Sequence, residues 1–105
     1  MDISIKKDLA SNWFKLLQNA ICDDILKIEK NKVNFESTSW NRSNKKDEGG
    51  GEYRILKSGK IFEKVGVNFS KVYGKFPKQF QKNIPGASKD PSFWASGISI
   101  VMHMQ

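Results

Sequence analysis

The sequence lacks several features that would assign a protein to a class at once. It has a single cysteine, Cys22, so no internal disulfide can form, which fits a reducing compartment. No apolar run approaches the roughly 20 residues that a membrane-spanning helix needs. The N-terminus has neither an apolar signal core nor an acid-poor transit pattern, since it contains Asp2 and Asp8. We therefore expect a cytoplasmic protein without a transmembrane segment.

Histidine and arginine are also scarce. His103 is the only histidine, so it cannot make a metal site by itself, and no hydrolytic triad with a nucleophile elbow can be recognised. The net charge is nevertheless +7, and all cations except Arg42 and Arg54 are lysines scattered along the chain. Scattered lysines usually form a solvated face, although a basic surface also attracts phosphates, anionic membranes or polycarboxylates.

Residues 4–30 have the apolar periodicity of a helix that covers a sheet. We expect Ser4 to cap the N-terminus of this helix and Asn31 to lie at its C-terminal end. Cys22 is expected to be a buried structural thiol. The predicted apolar stripe consists of Leu9, Trp13, Leu16, Leu17, Ala20, Ile21, Ile25 and Ile28.

Strand patterns fill most of the remaining chain. The predicted elements are a weak strand at 32–42, a polar, glycine-rich break at 43–51, a hairpin of 52–57 and 60–74 around Ser58-Gly59, a loop at 75–92 with a short helical turn near 78–83, and a buried strand at 93–103. One helix followed by several strands predicts an α+β protein, in which the N-terminal helix packs on a largely antiparallel sheet. The 105 residues suffice for one small domain.

The triple glycine Gly49-Gly50-Gly51 does not have the context of a phosphate-binding loop. Such a loop lies between a strand and a helix, whereas these glycines precede a strand and lack the Walker and GxGxxG patterns. They predict a flexible or tightly turned backbone that lets another group approach closely. Arg42 and Arg54 flank them, and they suit either surface ion pairs or bidentate carboxylate recognition.

The last predicted strand has two different faces. Ser99, Val101 and His103 share one face, on which Ser99 and His103 stand roughly 13 Å apart at about 3.3 Å per residue, and Gly97 keeps this face open. The other face, expected to contact the core, carries Trp94, Ile98, Ile100 and Met102. A lone histidine at a strand end is either structural or one ligand among several.

Longer strings within the chain resemble the oxygen-dependent coproporphyrinogen III oxidase family. These are FESTSWNR, GGGEYRILKSGKIFEKVGVNFSKVYG and FWASGISIVMH, which match the family's Trp-x-Arg, triple glycine with arginine, Phe-Glu-Lys-x-Gly-Val-Asn-Phe-Ser and strand ending in histidine. The resemblance covers most of residues 13–105 in the right order and spacing. It fails in the loop 75–92, and Tyr73 stands where the family often has histidine.

The resemblance implies a large, mostly antiparallel sheet flanked by helices and a homodimeric enzyme of haem biosynthesis. The implied substrate is coproporphyrinogen III, in which O2 oxidatively decarboxylates two propionates to vinyl groups, giving protoporphyrinogen IX, carbon dioxide and hydrogen peroxide. A divalent metal is implied, whereas haem, flavin and nicotinamide are not. By this resemblance Ser99 contacts substrate and His103 is a metal ligand. Our own hypothesis adds Arg42 and Arg54 as propionate ligands.

The family pattern continues beyond Gln105 with its proton-donating histidine and an Asn-x-Arg that binds substrate. We therefore expect residues 1–105 to be a truncated N-terminal part with negligible activity alone, since the sequence stops directly after an apolar strand. One alternative is a non-functional gene remnant. Another is a small basic nucleic-acid-binding module, in which Phe69 and Tyr73 would stack on bases, although no RNP, KH or zinc signature is present.

Overall fold

A computed structural model describes residues 2–30, 32–42 and 48–105, and in it one long helix packs on a four-stranded antiparallel sheet. In chain order the elements are α1 (Ile3–Glu29), β1 (Glu36–Asn41), β2 (Gly49–Lys57), β3 (Phe62–Lys75), α2 (Lys78–Gln81) and β4 (Ser92–Met104). The strands lie in the order β1-β2-β3-β4, so each strand pairs with its neighbour in sequence. The predicted α+β class is confirmed. No helix among the described residues is long and apolar enough to cross a membrane.

The ends of α1 differ slightly from the prediction. Asp2, not Ser4, is the N-cap: its carboxylate accepts a hydrogen bond from the Ser4 backbone N–H at 3.1 Å. A carboxylate is a strong cap because it satisfies one of the unpaired N–H groups of the first turn. At the other end Lys30 adopts a left-handed conformation, with φ of 55°, and donates its N–H to the Leu26 carbonyl. Asn31 lies outside the described residues.

The buried face of α1 is more polar than the predicted stripe. The buried residues are Ser11, Gln18, Cys22, Ile25 and Glu29. The stripe was therefore wrong at five positions, since Leu9, Trp13, Leu16, Ala20 and Ile28 are exposed. The physical reason is that Gln18 and Glu29 find hydrogen-bond partners in the sheet, which offsets the cost of removing them from water.

Two polar side chains fix α1 on the hairpin of β2 and β3. The Gln18 amide donates to the carbonyls of Glu52 and Val67, at 2.9 and 3.0 Å. The Glu29 carboxylate accepts backbone N–H groups of the β2–β3 turn, among them those of Lys60 at 2.7 Å and Phe62 at 2.8 Å. The helix is thus held at its middle and at its C-terminal end.

The core lies between α1 and the middle of the sheet. Its buried members are Cys22, Ile25, Leu56, Phe62, Val65 and Val67. The prediction that Cys22 is buried is confirmed, and burial raises the pKa of its thiol. We call the sheet surface that carries Leu56, Val65 and Val67 the helix face, and the opposite surface the open face.

The predicted hairpin is confirmed, but the predicted glycine-rich break is not. Gly49, Gly50 and Gly51 belong to β2, whereas residues 43–47 lie outside the described part of the chain. A Cβ on Gly50 would collide with the Trp40 carbonyl oxygen of β1, and one on Gly51 with the Phe69 carbonyl oxygen of β3. The groups that approach these glycines closely are therefore the neighbouring strands themselves.

The end of β4 is exposed, although a buried strand was predicted. Ile100, Val101, Met102 and Met104 are 42–61% exposed. Only the first half of β4 packs against α1, where Lys7 lies over the Trp94 ring and Ile98 touches the core. β4 is an edge strand of the described sheet, and Glu29 at the C-terminal end of α1 contacts the β2–β3 turn rather than β4. The predicted helical turn near 78–83 is confirmed as α2.

Candidate functional site

A cavity of about 600 Å³ lies on the sheet, mainly on its open face. It is lined by Trp40, Tyr53, Ile55, Asn68, Phe69, Ser70, Gly97, Ile98 and Ser99, which come from all four strands. We call it the open-face cavity. Its volume falls within the about 300–1,000 Å³ of small-molecule sites, and its mixture of aromatic walls with few polar groups is typical of them.

The register of the strands explains how these residues meet. Tyr53 of β2 pairs with Asn68 of β3, which in turn pairs with Ser99 of β4. Residues directly opposite each other in antiparallel strands share a face, so a phenol, an amide and a hydroxyl form one row across the sheet. The neighbouring row ends in Gly97, which has no side chain to fill the cavity.

Asn68 is a member of this row whose side chain lacks, within the described part of the chain, a hydrogen-bond partner for its oxygen. Its side-chain oxygen Oδ1 is buried and has no hydrogen-bond partner among the described residues. Leaving a buried acceptor unpaired costs about 1–3 kcal/mol, so such a group signals a missing partner. A ligand that presents an N–H or O–H donor in the open-face cavity would supply one.

Ser99 and His103 lie on the open face, as the sequence predicted. Both are exposed, Ser99 lines the cavity, and His103 is opposite Lys64 at the end of β4. No group of three His, Cys, Asp or Glu side chains in residues 2–30, 32–42 and 48–105 is arranged to hold a metal ion. His103 can therefore contribute one imidazole, and its role as a metal ligand stays a prediction.

The structure does not bring Arg42 and Arg54 together. Arg54 lies on the helix face beneath α1, donates to the Glu52 carboxylate at 3.1 Å and interacts with the Cys22 thiol. Its Nε is buried without a partner among the described residues. The position of Arg54, on the face opposite Ser99, favours a structural role.

Arg42, in contrast, is exposed near the end of β3 on the open face. Its guanidinium lies over the Phe93 ring at 4.8 Å, and it donates to the Tyr73 carbonyl at 2.9 Å and the Glu48 carboxylate at 3.0 Å. Gly74 permits this approach, because a Cβ there would come within 2.9 Å of the guanidinium. Arg42 thus shares a face with Ser99, and its binding of a ligand carboxylate stays a prediction.

A network of ion pairs lies on the helix face, between α1 and β2. Lys15 of α1 pairs with Glu52, which also pairs with Arg54. The hydrogen bond from Lys15 holds the pKa of the Glu52 carboxyl below its usual range, with a further contribution from Arg54. A second cavity of about 430 Å³ lies beside this network. The charged groups of the network already pair with one another, so we infer that the network holds α1 on the sheet.

Sequence reasoning selected Ser99, which lines the open-face cavity, but did not select three of the residues around it. Trp40, Tyr53 and Asn68 stood within the matched strings without being selected as site residues. The only signal for them is strand alternation combined with register, which places Asn68 on the face of Ser99. Register depends on pairing between distant segments, so the local pattern alone did not reveal the row.

Comparisons with known proteins agree in pointing to one family. A family model described as coproporphyrinogen III oxidase matches residues 10–105. The chain is 42% identical over 107 residues to the oxygen-dependent coproporphyrinogen-III oxidase of Rickettsia felis, 41% identical to that of Rickettsia akari and 40% identical to that of Rickettsia bellii. Each alignment covers 94% of this chain and 37% of the relative. The chain thus spans little more than a third of the length of these relatives.

Proposed function

The chain belongs to the coproporphyrinogen III oxidase family, and from this premise we propose that it supplies one wall of the substrate site of an oxygen-dependent coproporphyrinogen oxidase. The observation that supports the proposal is the open-face cavity. It combines apolar walls with the hydroxyl of Ser99 and the amide of Asn68. A tetrapyrrole has the matching character, since apolar rings form most of its surface and polar groups lie at its centre and periphery.

The proposed reaction converts two propionate side chains of coproporphyrinogen III into vinyl groups. For each propionate, the bond to the carboxylate breaks and releases carbon dioxide, a hydrogen leaves the β-carbon, and two electrons pass to O2. A reduced pyrrole is electron-rich, so the protein's main task is to hold and orient the ring. In this chain Trp40 and Ile55 would contact the rings, and Ser99 would hydrogen-bond a polar group of the substrate.

Carboxylate neutralisation is a second task, because the substrate carries four propionates. Arg42 is the better placed of the two arginines, since it shares the open face with Ser99, whereas Arg54 lies beneath α1. Its planar guanidinium can bind a carboxylate with two parallel hydrogen bonds. To do so, Arg42 would exchange its exposed contact with Glu48 for one with the substrate.

Several finer properties remain predictions of the family resemblance. These are a homodimer, a divalent metal near His103, the lack of need for haem, flavin or nicotinamide, and a cytoplasmic location. A divalent metal bound there would supply positive charge beside developing anionic groups. His103 is the residue of this chain that would bind it, and we derive no catalytic step from it.

The test is a chimaera in which residues 1–105 replace the aligned segment of the Rickettsia felis relative. Purified chimaera is mixed with coproporphyrinogen III in air, and protoporphyrin fluorescence is measured after oxidation of the product. We expect the chimaera to be active and the 105-residue chain alone to have negligible activity. A folded but inactive chimaera would contradict the proposal, and activity of the isolated chain would contradict our view that further groups are required.

A further inference from the structure

The unpaired oxygen of Asn68 is the least explained polar group on the open face. Among the described residues, the only other buried side-chain atom without a partner is Nε of Arg54, which lies beneath α1. Asn68 instead belongs to the lining of the open-face cavity, and its Oδ1 is buried within that lining. It lies between Tyr53 and Ser99 in the row across the sheet, yet no described side chain donates a hydrogen bond to it.

The chemistry of this oxygen defines which ligand group could donate a hydrogen bond to it. An amide oxygen is an acceptor only, so the matching group must carry hydrogen on nitrogen or oxygen. The carboxylates of a propionate are acceptors at neutral pH and would face Oδ1 unfavourably. The N–H groups at the centre of a tetrapyrrole are donors, and the rings that carry them suit the apolar walls of Trp40 and Ile55.

We propose that Asn68 Oδ1 accepts a pyrrole N–H and thereby selects the reduced macrocycle over its oxidised form. This inference rests on the proposed function. In a porphyrinogen all four nitrogens carry hydrogen, and the saturated bridges let each ring tilt its N–H out of the mean plane. In the oxidised porphyrin two nitrogens are acceptors, and the remaining N–H groups are held at the centre of a flat ring. Asn68 can therefore be satisfied fully by the reduced form alone.

The expected size of the effect follows from a single hydrogen bond to a desolvated acceptor. The reduced macrocycle should bind about tenfold more tightly than the oxidised one, which corresponds to about 1.4 kcal/mol. A larger ratio is not expected, because both macrocycles carry the same four propionates and similar apolar surface. The preference should depend on the acceptor at residue 68.

The experiment measures both affinities on the chimaera, carrying either the wild-type 105-residue chain or a variant of it, by isothermal titration calorimetry under anaerobic conditions, with coproporphyrinogen III and coproporphyrin III as probes. Asn68→Leu has a similar size without the acceptor, and Asn68→Asp keeps it. Asn83→Leu is the matched control, since Asn83 is exposed in the loop after α2 and away from the cavity. Thermal melting verifies that each variant is folded. In the wild-type chain, the side-chain amide resonance of Asn68 should shift with the reduced probe and much less with the oxidised one.

The inference is supported if the wild-type chain, Asn68→Asp and Asn83→Leu prefer the reduced probe while Asn68→Leu binds both alike. Equal affinities in the wild-type chain, or a preference that survives in folded Asn68→Leu, would overturn this inference and leave the proposed function standing. Binding of neither probe by the folded chimaera would instead overturn the assignment of the open face to the substrate, and the inference with it. Should Asn68→Leu not fold, the amide resonance in the wild-type chain decides between these outcomes.

Discussion

Asn68 and Ser99 lie directly opposite each other on β3 and β4, although long stretches of sequence separate them. Their pairing places a buried amide oxygen beside an exposed hydroxyl on the open face. The open-face cavity is thus a product of strand register rather than of a local motif. A slip of one residue in β4 would turn Ser99 to the helix face and separate the two groups.

Replacing Ser99 by alanine should weaken substrate binding in the chimaera. Removing one hydroxyl hydrogen bond costs about 0.5–1.5 kcal/mol, so KM should rise between about twofold and tenfold with a smaller change in kcat. Ser96→Ala is the matched control, because the Ser96 hydroxyl donates to the Ser70 carbonyl and does not line the open-face cavity. An unchanged KM for Ser99→Ala would remove Ser99 from the substrate site.

Substitutions of the two arginines should have different effects on stability and on substrate binding. Arg54→Gln removes a partly buried partner of Glu52 and should lower the free energy of unfolding by about 1.5–3 kcal/mol. Arg42→Gln breaks an exposed ion pair worth at most about 1 kcal/mol, and it should raise KM for coproporphyrinogen III. Denaturant unfolding and initial rates of the chimaera give both quantities. If Arg54→Gln raised KM at unchanged stability, Arg54 would be the substrate ligand instead.

The elements of the fold could be predicted from the sequence because their signals are local. The periodicity of α1 and the turn at Ser58-Gly59 each lie within a short segment, and the structure confirms both elements. The buried face of α1 could not be predicted in this way. Gln18 and Glu29 resemble surface residues until their partners, the Val67 carbonyl and the N–H groups of the β2–β3 turn, are known.

The triple glycine is a second feature whose structure could not be predicted from the local sequence. Glycines beside a polar segment favour a break, yet Gly50 and Gly51 lie within β2 because neighbouring backbones leave no room for a Cβ. Ser99 was identified through its family resemblance, whereas its neighbours Asn68 and Tyr53 required the register of the sheet. The sequence therefore indicated the family and the elements, and the structure was needed to assemble the cavity.

Two glycine-to-alanine substitutions should have opposite consequences. Gly51→Ala places a Cβ against the Phe69 carbonyl, which is rigid backbone, so unfolding should become easier by about 1–3 kcal/mol. A Cβ on Gly97 meets no described atom within 4 Å, so Gly97→Ala should change stability by less than about 0.5 kcal/mol. Because Gly97 lines the open-face cavity, its added methyl group should instead weaken binding of coproporphyrinogen III. Thermal melting and calorimetry test this pair, and a stable, tight-binding Gly51→Ala would contradict it.

Glu29 should make the stability of the folded chain depend on pH in the acidic range. Burial alone would raise the pKa of its carboxyl, but the backbone N–H groups of Phe62, Ile61 and Lys60 outweigh burial and lower this pKa below the usual 4.5. The folded state therefore binds this proton less readily than the unfolded state. The stabilisation from Glu29 is fully present above pH 4.5 and is lost as the pH falls through the lower folded value.

Glu29→Gln should accordingly lower the melting temperature at pH 7, because the neutral amide is a weaker acceptor and turns a donor toward the N–H groups of the turn. The difference from the wild-type chain should shrink as the pH falls from 4.5 through the lower folded pKa, where the folded carboxyl itself becomes neutral. Melting curves between pH 3 and pH 7 measure this convergence. Glu63→Gln, at an exposed residue of the same hairpin, is the control and should follow the wild-type curve. Parallel curves for Glu29→Gln and the wild-type chain would show that the ionised carboxylate does not hold the turn, and α1 would then be anchored at Gln18 and the apolar core alone.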